Sequence, residues 1–461
     1  MRSLLASKAF RPWLALWLVV FVITASSGGE NTQTKKGPSE DERYELYKLL
    51  VDTIDQVERN YVKEVDRREL FEAAIQGVLG KLDPYSAYIS PEELKQFRSS
   101  EESEFGGIGI QTGVEDGHLK VLSPLVGTPA YRAGIVAGDW IVEIDGKSTK
   151  GISTEEAVKW LKGEAGTKVT LGIRSEGKSE KRTIEVVRER IHVETVLGDH
   201  RGDDDAWRFL LDDESRIGYI RLTTFSRDTA RELQQALGKL KAQNARGLIL
   251  DLRFNPGGLL SAAIEVADLF LSEGRIVSTK GRNSPERAWD AKKNAVFEGV
   301  PMAILVNRYS ASASEIVAAC LQDNKRAVIV GERTWGKGSV QNVIDLEEGA
   351  SALKLTTAAY RRPSGKNIHR FEDTEEDGEW GVLPDEGCQL KLDASELANL
   401  IQDRRERDIV RPHRTVSETA DAQTNPPAKA AKEPDVPPRT VPDRQLELAL
   451  KQLTAELARV D

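Results

Sequence analysis

Apolar residues recur at helical spacing in the first hundred residues and again in the last twenty. Over residues 40–100 the pattern predicts an N-terminal helical region, with apolar positions at Leu46, Leu50, Ile54, Val57 and Tyr61, and then at Leu70, Phe71, Ala74, Ile75 and Val78. Over residues 443–461 a leucine stripe predicts a C-terminal amphipathic helix. Between these regions the pattern changes twice.

Residues 105–190 alternate as short strands with two capped helices, which predicts a small β-rich domain. Across residues 191–403, strands alternate with helices. Three of the four strand segments are almost continuously apolar, which is typical of parallel strands buried on both faces; the four are GYIRL, GLILDLR, MAILV and AVIV. The chain is therefore predicted to be a multidomain α/β protein.

The two ends of the chain carry further signals. Arg2, Lys8 and Arg11 precede the apolar run Trp13–Ala25, and small residues follow, which is typical of a secretory signal over residues 1–27. An uncleaved membrane anchor is the alternative. Residues 404–442 are charged and proline-rich, which predicts a disordered linker. We expect export to the periplasm or cell envelope.

Composition narrows the range of partners and chemistry. The net charge of −9 leaves no basic stripe, so nucleic acid is not expected as a partner. The two cysteines, Cys320 and Cys388, allow one disulfide, but their spacing does not show that they meet. Cys320 lies among apolar residues of a predicted helix, which favours a small buried side chain.

Three alternating serines, Ser310, Ser312 and Ser314, lie where a buried strand turns into a predicted helix. A serine there projects from a sharp turn beside free N–H groups, which would favour a developing negative charge. Serines also cap helices without any chemistry. The sequence leaves the choice between a nucleophile and a cap open.

Lys337, in the segment WGKGSVQ, is the best candidate for a base. No histidine lies in the strand and helix segments between Ile217 and Gln341, and a neutral lysine can activate a serine. Burial lowers the pKa of an amine, and Trp335 and Val340 could exclude water here. Gln341 could hydrogen-bond the amine.

The segment GERTWGKGS nearly matches a phosphate-binding loop. Gly338 stands where that motif needs a hydroxyl for magnesium, and the segment that follows reads as a strand where the motif needs a helix. The pattern therefore argues against nucleotide binding, and neither a metal nor any other cofactor is expected.

An oxyanion site could form in the turn DLRFNPGG, residues 251–258. Its backbone N–H groups could join that of Ala313 in facing a tetrahedral intermediate. An ordinary turn before a helix is the alternative.

Six segments occur in the same order as in the C-terminal processing peptidases, which the chain resembles from about residue 44 to 390. They are LDPYSAYI, EFGGIGI, SPLVGTPAYRAGIVAGDWIVEIDG, DLRFNPGGLL, SASASEI and GERTWGKGSVQ. The resemblance implies a nucleophile at Ser312, a general base at Lys337 and an orienting amide at Gln341. It also implies an oxyanion hole from Gly258 (or Gly257) and Ala313, and a supporting Glu315.

Residues 105–190 resemble the family's PDZ domain. The resemblance implies that the segment FGGIG presents N–H groups to the terminal carboxylate of a peptide, while the peptide adds a strand to the sheet edge. The expected peptide-binding residues are Phe105, Gly106, Gly107, Ile108, Gly109, Val158 and Leu161. Part of this set could equally be a packed core. Expected partners are proteins with apolar C-termini, and similar proteins often form homodimers.

Four positions depart from the family pattern. Tyr85 replaces the usual histidine, Phe254 an asparagine, Trp335 a phenylalanine and Lys162 an arginine. None of these changes touches Ser312, Lys337 or Gln341. The leading hypothesis is an endopeptidase that recognises a free C-terminus, and the alternative is a PDZ-bearing scaffold or chaperone with an inactive core.

Overall fold

The computed structural model describes residues 39–94, 97, 104–178, 180–293, 295–371, 374–410, 439 and 441–460. The predicted secretory signal and most of the predicted linker lie outside the described residues. No helix within these ranges is both long enough and apolar enough to cross a membrane. The chain divides into two compact units, residues 1–74 and 75–461.

The described part of the first unit is helical, as the apolar spacing predicts. Helix α1 (Glu40–Asn60) begins at a capping box in which Ser39 and Glu42 bond each other's backbone N–H groups. Helix α2 (Arg67–Leu79) follows and runs past the end of this unit. Only Ile54 is buried in α1, and large apolar side chains such as Tyr44, Leu46 and Tyr47 are exposed.

The second unit opens with strand β1 (Ala87–Ile89) and continues into the β-rich domain. Its sheet has the strand order β3-β4-β5-β7-β8, with the short β6 paired to β5, while β2 pairs separately with β9. The strands are β2 (Glu104–Gly107), β3 (Ile110–Glu115), β4 (His118–Pro124), β5 (Trp140–Ile144), β6 (Lys147–Ser148), β7 (Lys168–Arg174), β8 (Arg182–Val187) and β9 (Glu189–His192). Helices α3 (Pro129–Arg132) and α4 (Thr154–Leu161) start where their caps predict.

A five-stranded sheet forms the centre of the α/β core. Its order is β10-β13-β14-β17-β18, in which the last four strands are parallel. The strands are β10 (Val196–Leu197), β13 (Ile217–Leu222), β14 (Gly247–Asp251), β17 (Met302–Val306) and β18 (Val328–Gly331), and a separate ribbon is formed by β11 (His200–Arg201) and β12 (Trp207–Arg208). The four predicted apolar segments are thus the parallel strands.

Helices cover both faces of this sheet. On one face the apolar side chains pack against α5 (Thr229–Ala242), α6 (Leu260–Asp268) and α7 (Ala313–Asp323). On the other face Leu446, Ala449 and Leu453 of the last helix pack against Ile249 and Leu305. Burial on both faces explains why these strands are apolar at almost every position.

A second, antiparallel sheet includes a strand that begins within the segment of residues 334–341, which contains Lys337. It consists of β15 (Arg275–Lys280), β16 (Arg287–Asp290), β19 (Ser339–Leu346), β20 (Ser351–Arg361) and β1. Strand β20 pairs with β19 along one edge and with β1 and β15 along the other. The segments that contain β1 and β19, which are far apart in sequence, are therefore held on the two edges of one strand.

The last two helices are α8 (Ala394–Asp408) and α9 (Arg444–Val460). The predicted linker was to start at residue 404, and that boundary is wrong, because α8 continues through Asp408. Arg404 reaches the buried carboxylate of Asp251, and Arg407 that of Asp199, so these charges pair within the fold. Charge composition alone does not distinguish such a helix from a solvated linker.

A buried ion cluster joins α9 to the end of β14. The Arg253 side chain is fully buried and donates to Asp443 at 2.8 and 2.9 Å and to Asp251 at 2.7 Å. Asp443 also caps α9 by accepting from the N–H of Leu446. The last helix is therefore attached to the start of the turn at residues 252–258.

Both cysteines are free and buried. Cys320 is fully buried in α7, as expected for a small apolar side chain, and burial raises the pKa of its thiol to about 12.

Candidate active site

The serine segment, residues 307–314, connects β17 to α7 and gives its three serines different surroundings. Ser310 and Ser314 are fully buried, and their hydroxyls donate to the backbone oxygens of Leu252 (2.8 Å) and Asn255 (2.9 Å). Ser312 is partly exposed and is the N-cap residue of α7, with φ 56° and ψ −114°. Residues held in such sparsely populated conformations cluster at functional sites.

The turn at residues 252–258 packs directly against Ser312. Gly257 has φ 101°, and a side-chain carbon there would lie 2.8 Å from Ser312 Cβ and 2.9 Å from Ala313 N, so only glycine fits. Asn255 fixes the turn by accepting from Gly257 N (2.9 Å) and donating to the backbone of β13. Within the described residues, the N–H groups of Ala313 and Gly258 have no acceptor.

Glu315 joins the serine segment to the lysine segment, residues 334–341. Its buried carboxylate accepts from Ser312 N (2.8 Å), and on the other side from Gly336 N (2.7 Å), Lys337 N (2.8 Å) and the Thr334 hydroxyl (2.5 Å). Burial raises the pKa of Glu315 to about 7, and these donors oppose the rise. A carboxylate without its proton can accept all four bonds, so Glu315 fixes both backbones in its ionised form.

Lys337 is half-buried between two glycines that allow close backbone packing. A side-chain carbon on Gly338 would overlap the backbone of His369, and one on Gly336 would lie 2.9 Å from Arg370 Cβ. Burial lowers the pKa of the Lys337 amine; Lys354 lowers it further, and Glu315 opposes the change. An amine with a lowered pKa can act as a base near neutral pH.

No hydrogen bond joins Lys337 Nζ to Ser312 Oγ within the described chain. Gln341, the expected orienting amide, instead donates through Nε2 to Ser339 Oγ (2.8 Å) and Thr356 Oγ1 (3.1 Å). Trp335, expected to exclude water from the lysine, is 53% exposed. Glu315 therefore brings the two backbone segments together, although no hydrogen bond joins the serine and lysine side chains.

The amine lies over the ring of Tyr85, with Nζ 5.0 Å from the ring centroid. Sequence analysis missed this residue, since its departure from the family pattern carries no signal of proximity to Lys337. The residue is distant in sequence, and only the pairing of β1 with β20 brings its loop to the lysine.

Comparison with known proteins identifies the family. The chain is 41% identical over 377 residues to the carboxy-terminal-processing protease of Bartonella bacilliformis, covering 80% of this chain and 84% of the relative. The chain belongs to the carboxy-terminal processing proteases. It is a serine-type peptidase, which sets the inactive scaffold aside.

Family models match three parts of this peptidase. Residues 216–386 match peptidase family S41, 120–175 a PDZ domain and 17–93 the N-terminal domain of the activating protease CtpB. The carboxy-terminal processing protease CtpA of Bacillus subtilis is 36% identical over 318 residues, covering 68% of this chain and 65% of the relative. A solved photosystem II D1 C-terminal processing protease is 32% identical, with a TM-score of 0.43, covering 75% of this chain and 92% of that chain.

The PDZ domain presents an open strand edge. Within the described residues β3 pairs only with β4, and α4 lies against it. An unpaired edge of this kind can accept an added strand. Just before β3 the N–H groups of Ile108 and Gly109 have no acceptor in the described chain. Gly109 has φ 77°, and a side-chain carbon there would overlap Thr128.

The other expected peptide-binding residues have mixed surroundings. Val158 is partly exposed on α4, whereas Ile108 and Leu161 belong to the buried core of the domain. Gly106 packs on the backbone of Gly163, Gly107 ends β2 and is buried, and the side chain of Phe105 lies outside the described part of the structure. The peptide contacts of all seven residues stay predictions.

Arg188 is a second residue that sequence analysis missed. Its buried guanidinium donates to the backbone oxygens of Trp160 (2.9 Å) and Leu161 (3.0 Å), at the C-terminal end of α4, and of Lys168 (2.8 Å) on β7. It therefore fixes the helix that flanks the open edge. An isolated arginine at the end of a strand pattern gives no sign of this role.

Proposed function

We propose that this protein is an exported endopeptidase that binds the C-terminal tail of a protein through its PDZ domain and cleaves the chain with Ser312 and Lys337. The observation that carries the proposal is the arrangement around Glu315. One carboxylate holds the backbone of a strained, partly exposed serine and the backbone of a half-buried lysine with a lowered pKa.

In this mechanism the neutral Lys337 amine takes the proton of the Ser312 hydroxyl as Oγ bonds to the substrate carbonyl carbon. The carbonyl oxygen becomes an oxyanion, which the free N–H groups of Ala313 and Gly258 stabilise. The resulting ammonium then gives its proton to the leaving amine nitrogen as the peptide bond breaks. Water releases the acyl group by the same steps in reverse.

Gln341 donates to Ser339 and Thr356 through Nε2, and these bonds do not use its Oε1. Its Oε1 is an acceptor suited to an amine, so the proposed catalytic state pairs Oε1 with Lys337 Nζ. The side chains of both residues are partly exposed, which permits this change without repacking the core.

Export and assembly complete the proposal. The segment at residues 1–27 supports export, with a membrane tether where it stays uncleaved. The exposed apolar side chains of α1 support a homodimer, because a surface of this kind is typical of an interaction site.

The nucleophile is tested by covalent labelling with a fluorophosphonate, which bonds to an activated serine oxygen as fluoride leaves. We expect mass spectrometry to find one adduct, on the peptide that contains Ser312, and none in Ser312→Ala. An adduct on another serine, or equal labelling of the variant, would contradict the assignment.

Tail recognition is tested with two substrates that differ only in the last carboxylate, one free and one amidated. We expect amidation to lower kcat/KM by about 10- to 100-fold, because hydrogen bonds from the PDZ loop to a charged group are lost. Cleavage time courses below KM measure the difference. Equal rates would remove tail recognition and leave the peptidase assignment intact.

A further inference from the structure

The ring of Tyr85 lies under the ammonium of Lys337. Nζ lies 5.0 Å from the ring centroid and makes no hydrogen bond or ion pair with described residues. A cation within about 6 Å of an aromatic face is attracted by the ring's quadrupole. Attraction to the Tyr85 ring therefore stabilises this position of the lysine, and Tyr85 is not among the residues assigned to catalysis.

The loop that carries Tyr85 is fixed in place. Asp83 Oδ1 accepts from the N–H groups of Tyr85 (2.7 Å) and Ser86 (2.8 Å), and Asp83 Oδ2 accepts from the Ser86 hydroxyl (2.9 Å). Ser86 Oγ in turn accepts from Thr356 N on β20 (3.1 Å). The Thr356 hydroxyl also accepts a hydrogen bond from the side-chain amide of Gln341. The loop that carries Tyr85 and the side chain of Gln341 are therefore both anchored to β20.

Two further rings, those of His369 and Phe371, extend from the Tyr85 ring. His369 packs edge-on against Tyr85 with centroids 6.4 Å apart, and Phe371 packs edge-on against His369 at 4.8 Å. Burial lowers the pKa of His369, while the Asp83 carboxylate opposes this change. A neutral imidazole adds no positive charge beside Lys337, so the Tyr85 ring stays available to a cation.

The charged groups that act on the amine come from two elements. Lys354 on β20 disfavours the ammonium, and Glu315 on α7 favours it. Asp83, in the Tyr85 loop, acts on His369. Burial and Lys354 both lower the pKa of the Lys337 amine, and the Tyr85 ring opposes this change by stabilising the ammonium.

We propose that Tyr85 is a positioning residue for the general base: its ring binds the ammonium form of Lys337 in a state without a hydrogen bond to Ser312 Oγ, and this contact weakens when the amine loses its charge and becomes able to accept the serine proton. The inference rests on the proposed Ser312–Lys337 chemistry.

The test measures the titration of Lys337 directly. Acetic anhydride reacts with an amine only when the amine is unprotonated. The rate of acetylation of Lys337 is followed by mass spectrometry at a series of pH values, and its dependence on pH reports the pKa of this one amine. This readout is separate from Glu315, which also titrates in the neutral range. Tyr85→Phe keeps the ring, whereas Tyr85→Leu keeps an apolar side chain and removes it.

We expect the midpoint for Lys337 to fall by about half to one pH unit in Tyr85→Leu and to stay within about 0.2 unit in Tyr85→Phe. The acid limb of kcat/KM should move with it, so that below this limb Tyr85→Leu cleaves about three- to tenfold faster than Tyr85→Phe. Lys147, which lies over the ring of Trp160, serves as an internal control, and its rate of acetylation should not differ among the proteins compared.

Two results would overturn the inference. An unchanged midpoint in Tyr85→Leu, with cleavage still dependent on Lys337, would show that the ring does not hold the ammonium and would leave the proposed function standing. A shifted midpoint with no matching change in the acid limb of cleavage would show that Lys337 is not the base. That second result contradicts the proposed function as well.

Discussion

Ser312→Ala is expected to lower kcat/KM for an unfolded protein with an apolar tail by about 10⁴-fold or more, and Lys337→Ala by about 10²- to 10⁴-fold. The serine supplies the atom that attacks the carbonyl carbon, and the lysine removes its proton. Because the two act as a unit, the double variant should be little worse than Ser312→Ala. Gel-based time courses with the purified variants measure each effect.

Lys366→Ala is the matched control for the lysine. This side chain is 56% exposed and pairs with Glu379 at the surface, so its removal should leave both cleavage and stability unchanged. Full activity in Ser312→Ala or Lys337→Ala would refute the assignment, provided that thermal unfolding shows an intact fold.

Asp443→Asn is expected to lower the free energy of unfolding by about 3 kcal/mol. Arg253 is fully buried between Asp443 and Asp251, and Arg404 also reaches Asp251, so the loss of one carboxylate charge leaves a buried cation without compensation. Asparagine still caps a helix, which isolates the effect of the charge. Urea unfolding of the full chain measures the change.

Asp393→Asn provides the comparison, because Asp393 is also a helix N-cap aspartate. It accepts from the N–H groups of Ser395 and Glu396 at 2.8 Å but is exposed to solvent. We expect a much smaller change there, because asparagine and aspartate cap helices about equally well and no buried charge is lost. Equal losses in the two variants would show that capping, and not the buried charge, accounts for the effect of Asp443.

The fold could be predicted largely because its signals are local. Four apolar segments gave the parallel strands, and the capping box at Ser153 and Glu156 gave the start of α4. The start of the linker was wrong because the charges of Arg404 and Arg407 find buried partners that lie far away in sequence. Charge composition indicates that burying such side chains is costly, but it does not show whether each charge has a partner of opposite charge in the fold.

The sequence could predict which residues form the candidate site, but it could predict fewer of the contacts that these residues make. Resemblance named Glu315 as supporting, but its four hydrogen bonds depend on how two segments meet in space. The lysine was expected to be shielded by Trp335, which is exposed, and the ring that it contacts belongs to Tyr85. Contacts between segments follow from strand pairing, which local patterns do not encode.

The bond between Arg253 and Asp443 spans 190 residues, which has a consequence for the order of folding. A nascent polypeptide made only as far as residue 442 lacks one of the two carboxylates that pair with Arg253, in the turn that carries Gly257. Closing so long a loop is slow compared with forming local contacts. A freshly synthesised chain should therefore gain proteolytic competence late, after its helices and parallel strands have formed.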